Sequence, residues 1–238
     1  MSKSLLAGVG LAVFLSLAAC SPKAPLQADV ARVEAPAAVA PATVAITVPA
    51  GNYAVDPNHG SITFKLQHLG LSYYTMRFRT YDATVSFDPS NISASKVSAK
   101  VKPSDILVGF PGDYVANHPG TRFKSWEDDL ANSSKFLNAG EYPEITFTST
   151  SVEAIGERTA KLTGDLTLLG VTKPLQLDVT FDGETASHAF AKVPAVGFSA
   201  TGKFKRSDFN LGPHLPAEVV GDEITVSIEG DFIQKPAS

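Results

Sequence analysis

Leu175-Gln176-Leu177-Asp178-Val179-Thr180-Phe181 places an apolar side chain at every second position and a polar one between. Successive side chains of an extended chain point to opposite faces, so this stretch has one oily face and one wet face, the mark of a half-buried strand. The same beat recurs on both sides of it. Ile62-Thr63-Phe64-Lys65-Leu66, Val97-Ser98-Ala99-Lys100-Val101 and Ile224-Thr225-Val226-Ser227-Ile228 keep the period of two. Segments 76–88, 143–153, 159–169 and 195–207 bring the expectation to about eight strands. Turn-rich links such as Asp88-Pro89-Ser90-Asn91 and Gly170-Val171-Thr172-Lys173-Pro174 join them.

Eight antiparallel strands with one apolar face suit either a sandwich or a closed barrel, and only the barrel removes every exposed edge. The fold class expected is therefore all-β. One long excursion, residues 103–142, interrupts the pattern; within it Trp126 to Leu137 is expected to form a short helix that Asn138 and Gly140 stop. A membrane-spanning barrel would also alternate, with its apolar face turned to lipid.

The first residues read as an address. Lys3 supplies a positive charge, Leu5 to Leu17 an apolar run, and Leu17-Ala18-Ala19-Cys20 small residues at a cut site. A spanning helix needs about 20 apolar residues and this run is shorter, so residues 1–19 are expected to be a signal peptide. Leu17 to Cys20 resembles the bacterial lipobox, in which the cysteine sulfur takes a diacylglycerol and cleavage leaves the cysteine first. Cys20 is the single cysteine of 238 residues, so it is expected to carry a lipid anchor, palmitate among its acyl chains, and no internal disulfide exists. Acylation argues against a spanning barrel, which needs no tether. Ser21 rather than an acidic residue follows the cysteine, which in well-studied lipoproteins resembles permission to reach the outer membrane. The expected place is a Gram-negative cell envelope, facing the periplasm. Residues 20–52, rich in Ala, Pro and Val, read as a linker that spans roughly 30 Å as a flexible coil, with residues 53–238 the folded domain.

Without the signal segment the chain carries 19 basic against 24 acidic residues. No basic stripe advertises nucleic acid. The five histidines, His59, His68, His118, His188 and His214, show no ligand spacing, and one cysteine makes no thiolate metal site. There is no G-x-S-x-G elbow, so no catalytic residue is assigned. Gly156 and Gly164 read as turn or bulge glycines, and His59 as the partner of Asp56 in a first turn.

Five ordered blocks carry a resemblance to a known family. Tyr53-Ala54-Val55-Asp56-Pro57-Asn58-His59-Gly60-Ser61-Ile62-Thr63-Phe64 with Gln67-His68-Leu69-Gly70 resembles the opening of the YceI family of periplasmic polyisoprenoid-binding proteins. Tyr142-Pro143-Glu144-Ile145-Thr146-Phe147, then Leu162-Thr163-Gly164-Asp165-Leu166-Thr167 with Gly170-Val171-Thr172-Lys173-Pro174, follow in the family's order. Gly197-Phe198 leading to Arg206-Ser207-Asp208-Phe209, and Val220-Gly221-Asp222-Glu223-Ile224, complete the set. The resemblance implies an eight-stranded, lipocalin-like antiparallel β-barrel whose cavity holds one long-chain isoprenoid or similar amphiphile. Three departures stand out. Asn210 replaces a usual glycine but tolerates a left-handed backbone, while Met76 and Leu169 are expected to make the cavity wall more apolar or more crowded.

On that reading Ile62, Phe64, Leu66, Phe78, Phe147, Phe198 and Phe204 are the candidate wall, each with a plain core role as the alternative. At the mouth, His68 and Arg206 are candidates for a head group; a histidine satisfied by backbone and an arginine bridged to Asp208 are the plainer readings. Tyr73 and Tyr74 are candidate gates, with loop packing the plainer role. The partners expected are an isoprenoid or other long-chain amphiphile and the membrane reached through Cys20, with no nucleic acid, no cofactor and no metal, and with a homodimer left open. Three functions follow: a tethered lipid carrier or reservoir, a lipid-modifying enzyme using the same cavity, or a structural or stress-linked envelope protein with a filled barrel.

Overall fold

The computed structural model describes residues 46–236; Cys20, the signal segment and most of the linker lie outside the described residues. Ten strands run in chain order: β1 (Gly51–His68), β2 (Ser72–Phe78), β3 (Tyr81–Phe87), β4 (Lys96–Val101), β5 (Ile106–Val108), β6 (Ile145–Ala154), β7 (Thr159–Leu168), β8 (Val171–Thr185), β9 (Ala195–Lys205) and β10 (Val220–Gln234). All pairings are antiparallel, and β1 pairs back to β10, which closes the sheet. Closure decides barrel over sandwich.

The ten strands make eight staves. On β1, β3 pairs with residues 51–54 and β2 with residues 62–68, so β2 and β3 are two halves of one bent stave. β4 and β5 do the same beside them, with Tyr81 opposite Val101 and Met76 opposite Val108. The expected strand 76–88 is therefore interrupted. A short 3₁₀ turn at Pro103–Asp105 causes the break: the Asp105 carbonyl accepts from Arg79 N–H at 2.9 Å and its carboxylate from the Thr80 hydroxyl at 2.5 Å.

Alternation behaves as the period of two requires. Along β8, Leu175, Leu177 and Phe181 are buried while Gln176, Asp178 and Thr180 are exposed. The outer face carries the ion pairs Lys100–Glu144, Lys161–Asp178 and Lys203–Glu223. Such a face belongs in water, because a spanning barrel turns apolar side chains outward. Gly164 sits in β7 opposite a bulge in β6 between Ser149 and Ser151, and the Phe147 ring lies over it. His59 pairs with Asp56 at 2.9 Å, and both lie within the irregularity of β1 between Val55 and Gly60, where a turn was expected.

Two helices occupy the excursion, α1 (Tyr114–Asn117) and α2 (Trp126–Asn132). The Ser125 hydroxyl caps α2 by accepting from Asp128 N–H at 3.1 Å, and Glu127, Asp128 and Asp129 complement its positive end. The helix stops five residues before Leu137, the end expected from sequence. Ser133 leaves the helical conformation and its hydroxyl accepts from Lys135 N–H, a local bond that competes with the next helical turn. Asn138 then takes a left-handed backbone, as does Asn210 at the end of the 3₁₀ turn Arg206–Phe209.

The described structure includes residues before Tyr53. Thr47 N–H, the Thr47 hydroxyl and Val48 N–H all donate to the Glu184 carboxylate, and Val48 is buried. The Tyr53 hydroxyl donates to Pro49 O at 2.6 Å. Residues 46–50 thus form a strap along the end of the barrel at which β1 begins.

Candidate ligand-binding cavity

Inward-pointing side chains of all eight staves enclose a cavity of about 270 Å³. Ligand sites usually measure about 300–1,000 Å³, so this one suits a single slender chain. Six of the seven wall candidates line it: Ile62, Phe64, Phe78, Phe147, Phe198 and Phe204. The seventh, Leu66, does not. It lies on the same face of β1 but beyond the cavity, opposite Tyr74 and Ile224, where it packs against the core. Met76 and Leu169 also lie outside the wall: Met76 is buried between Phe64 and Val108, and Leu169 occupies a left-handed turn position before Gly170.

Sequence reasoning passed over Tyr81, Phe87, Phe181 and Phe232, all of which line the cavity. Phe87, Phe181, Phe198 and Phe232 form one aromatic collar, with Phe198 5.6 Å from Phe87, 5.7 Å from Phe181 and 5.8 Å from Phe232 between ring centroids. Edge-to-face pairs of this kind stabilise beyond their buried area. Their strands carry the alternation that gave the other candidates, so the signal was present but unranked. Tyr81 depends on long-range pairing. Its hydroxyl donates to Glu229 O at 2.9 Å in the space left by Gly60 opposite Gly230, where an added Cβ would come within 2.7 and 2.6 Å of the phenol oxygen. Burial, helped by Glu229 and Asp231, pushes the Tyr81 phenol up to about 12. The wall there is uncharged.

The cavity has two unlike ends. At the end carrying the β7–β8 and β9–β10 connections, its lining is Phe64, Leu137, Leu168, Phe204 and Leu211, each buried or half-buried. At the other end it reaches the surface. Every exposed lining residue lies on the β6–β7 hairpin, namely Ala154, Gly156, Glu157, Arg158 and Thr159. Ile46 of the strap and Ile92 and Ser95 of the β3–β4 connection complete this mouth.

The mouth candidates from sequence therefore sit at the wrong end. Arg206 is a structural clamp. It is 5% exposed, and its guanidinium donates to the carbonyls of Gly221, Leu211, Gly212, Leu215 and Val220 at 2.7–3.3 Å. A guanidinium has five N–H donors, so none remains for a head group, and Asp208 is not its partner. Those bonds hold the β9–β10 connection, including Leu211, over the closed end. Tyr73 points outward, opposite Gln67 and 61% exposed, with Lys65 Nζ 5.1 Å from its ring centroid. Tyr74 does face inward, but its hydroxyl lies 3.5 Å from Gly109 O, and burial raises its phenol. His68 is exposed at the last position of β1, opposite Ser72 and Val220. None of the four lines the cavity.

Among the described residues no group of three or more His, Cys, Asp or Glu is placed to hold a metal. The family pattern described as a YceI-like domain matches residues 53–232, which are the barrel itself. This chain belongs to the YceI family. Protein YceI of Escherichia coli O157:H7 is 34% identical over 183 residues, covering 76% of this chain and 87% of that protein. The crystal structure of the Campylobacter jejuni YceI protein matches with a TM-score of 0.58 at 29% identity, covering 71% of this chain and 90% of that one. A polyisoprenoid binding domain from Saccharophagus degradans, implicated in plant cell wall breakdown, matches with a TM-score of 0.52 at 14% identity, over 77% of this chain and 98% of that one; this last likeness is one of fold. Of the YceI-like blocks seen in the sequence, two now have structural reasons. Gly164 makes room for Phe147, and Arg206 clamps the loop that follows it.

Proposed function

We propose that this YceI-family barrel binds one long-chain amphiphile, an isoprenoid or a similar lipid, with its tail inside the barrel, and serves as a carrier or reservoir for it. The observation that carries this reading is the continuous apolar cavity, whose exposed lining among the described residues lies on the β6–β7 hairpin. Burying ten methylenes contributes roughly 8 kcal/mol gross, against several kcal/mol lost on association. The tail supplies the affinity, and the aromatic collar of Phe87, Phe181, Phe198 and Phe232 is the part of the wall it must pass. Acylated Cys20 would hold the protein to the outer membrane of a Gram-negative envelope, facing the periplasm, as an anchor separate from the lipid in the cavity.

Native mass spectrometry with lipid extraction, on the full-length chain purified from its own host, tests the binding role. A stoichiometric hydrophobic ligand is expected. A ligand-free barrel that also takes up no added long-chain lipid would overturn it. For the anchor, Cys20→Ser is expected to leave the chain uncleaved or free of acyl groups; a variant still acylated and membrane-bound would contradict the lipobox reading.

A further inference from the structure

Among the described residues only two charged side chains line the cavity, Glu157 and Arg158, and they are neighbours on the β6–β7 hairpin at its mouth. Arg158 is fixed in place there. Its Nε donates to Phe181 O at 2.8 Å, its Nη2 donates to Asp182 O, and its guanidinium carbon lies 5.2 Å from the centroid of the Phe181 ring, itself part of the cavity wall. Nη1 has no partner among the described residues. An arginine braced by two backbone carbonyls and an aromatic face has already given up its side-chain freedom, so its remaining N–H donors, two on Nη1 and one on Nη2, are preorganised. Ser95, buried at the same end, supplies a second group. Its oxygen accepts from Asp88 N–H at 3.1 Å, and its own proton has no acceptor among the described residues.

We propose that Arg158 is the head-group residue of the cavity, its Nη1 donating to a singly charged carboxylate on the end of a long apolar chain. The proposal rests on the reading of the cavity as a lipid site and adds which end of the lipid faces out and what charge it bears. Glu157 sets the charge limit. Its carboxylate at the same mouth already offsets the arginine's single positive charge, so a singly charged head is the most the mouth favours, whereas a phosphate or diphosphate would bring two or more negative charges with no second cation lining the cavity among the described residues. Ser95, lining the same end of the cavity, offers its hydroxyl as a second donor there.

The test is native mass spectrometry of the full-length chain titrated with hexadecanoic acid, hexadecanol and hexadecyl phosphate. Wild type is expected to prefer the acid over the alcohol by about tenfold, the worth of one charge-assisted hydrogen bond. Arg158→Gln is expected to abolish that preference while the alcohol still binds. Arg158→Lys, which keeps the charge but cannot brace both carbonyls, is expected to keep a reduced preference. In Glu157→Gln the phosphate is expected to gain about tenfold on the acid. An acid preference that survives Arg158→Gln overturns the assignment. Equal loss of acid and alcohol in both arginine variants also overturns it, since Arg158 would then serve the wall and not the head. Should Arg158→Gln fail to fold, no gain for phosphate in Glu157→Gln decides against the proposal. A wild type that binds neither acid nor alcohol removes the lipid reading beneath it, a result distinct from binding both without preference.

Discussion

Arg206→Met removes the guanidinium but keeps a side chain of similar length, and the structure sets the size of the effect. Five carbonyls lose a donor, Leu211, Gly212, Leu215, Val220 and Gly221, of which Gly212 keeps the Leu215 N–H at 3.0 Å. At about 1.5 kcal/mol per hydrogen bond from a charged donor, the five would sum to roughly 7 kcal/mol if none were replaced. Some of these carbonyls lie on an exposed connection that water reaches once the clamp is gone, so about 3–4 kcal/mol is the expected destabilisation. For a domain of this size that lowers Tm by roughly 10 °C. Urea unfolding followed by far-UV circular dichroism, with a thermal scan beside it, measures both quantities. Arg206→Lys, with three donors on a point charge, is expected to recover less than half of the loss. A methionine variant within about 1 kcal/mol of wild type would refute the clamp. So would a lysine variant of wild-type stability that had lost its lipid, because that outcome belongs to a head-group residue.

Gly164→Ala places a methyl group against the Phe147 ring and 2.6 Å from Thr148 O, an overpacking expected to cost about 1–3 kcal/mol in a denaturant melt; a neutral alanine would show that the ring can move away. Leu69 is held at φ 53 before Gly70 at φ 69, a hairpin turn that favours Asn-Gly, and it is half exposed. Leu69→Asn is therefore expected to stabilise by about 0.5–1 kcal/mol, read from the urea midpoint, and a loss of stability would contradict it. For Glu184, burial pushes the carboxyl upward, but the hydrogen bonds from Thr47 and Val48 outweigh it and hold it below its ordinary 4.5. A lowered folded value gives stability that is complete above the ordinary value and lost as pH falls through the folded one. Wild type is thus expected to exceed Glu184→Gln in stability by a constant margin from neutral down to about pH 4.5, with the gap closing below that. A gap that widens in acid would reverse the assignment.

The period of two, visible in Leu175 to Phe181 and its counterparts, determined the strands and which face of each is apolar, because alternation is a local property of an extended chain. Family-like blocks determined the kind of barrel those strands make. Six of the seven wall candidates were legible in this way, since every inward position near the middle of a closed barrel faces the same cavity. Leu66 was not, because β1 runs on past the cavity and sequence does not mark where the wall stops.

The position of the mouth was decided by tertiary structure alone. Both ends of each strand look alike in sequence; one is sealed only because Leu137 and Leu211, distant along the chain, fold over it. The same holds for the two arginines. Sequence gives each a charge, but the surroundings assign the role: Arg206 spends all five donors on carbonyls of the connection it closes, while Arg158 is braced through two nitrogens and keeps the third free at the opening. Which backbone carbonyls meet a guanidinium depends on strand register and loop path, and neither is a local property of the chain.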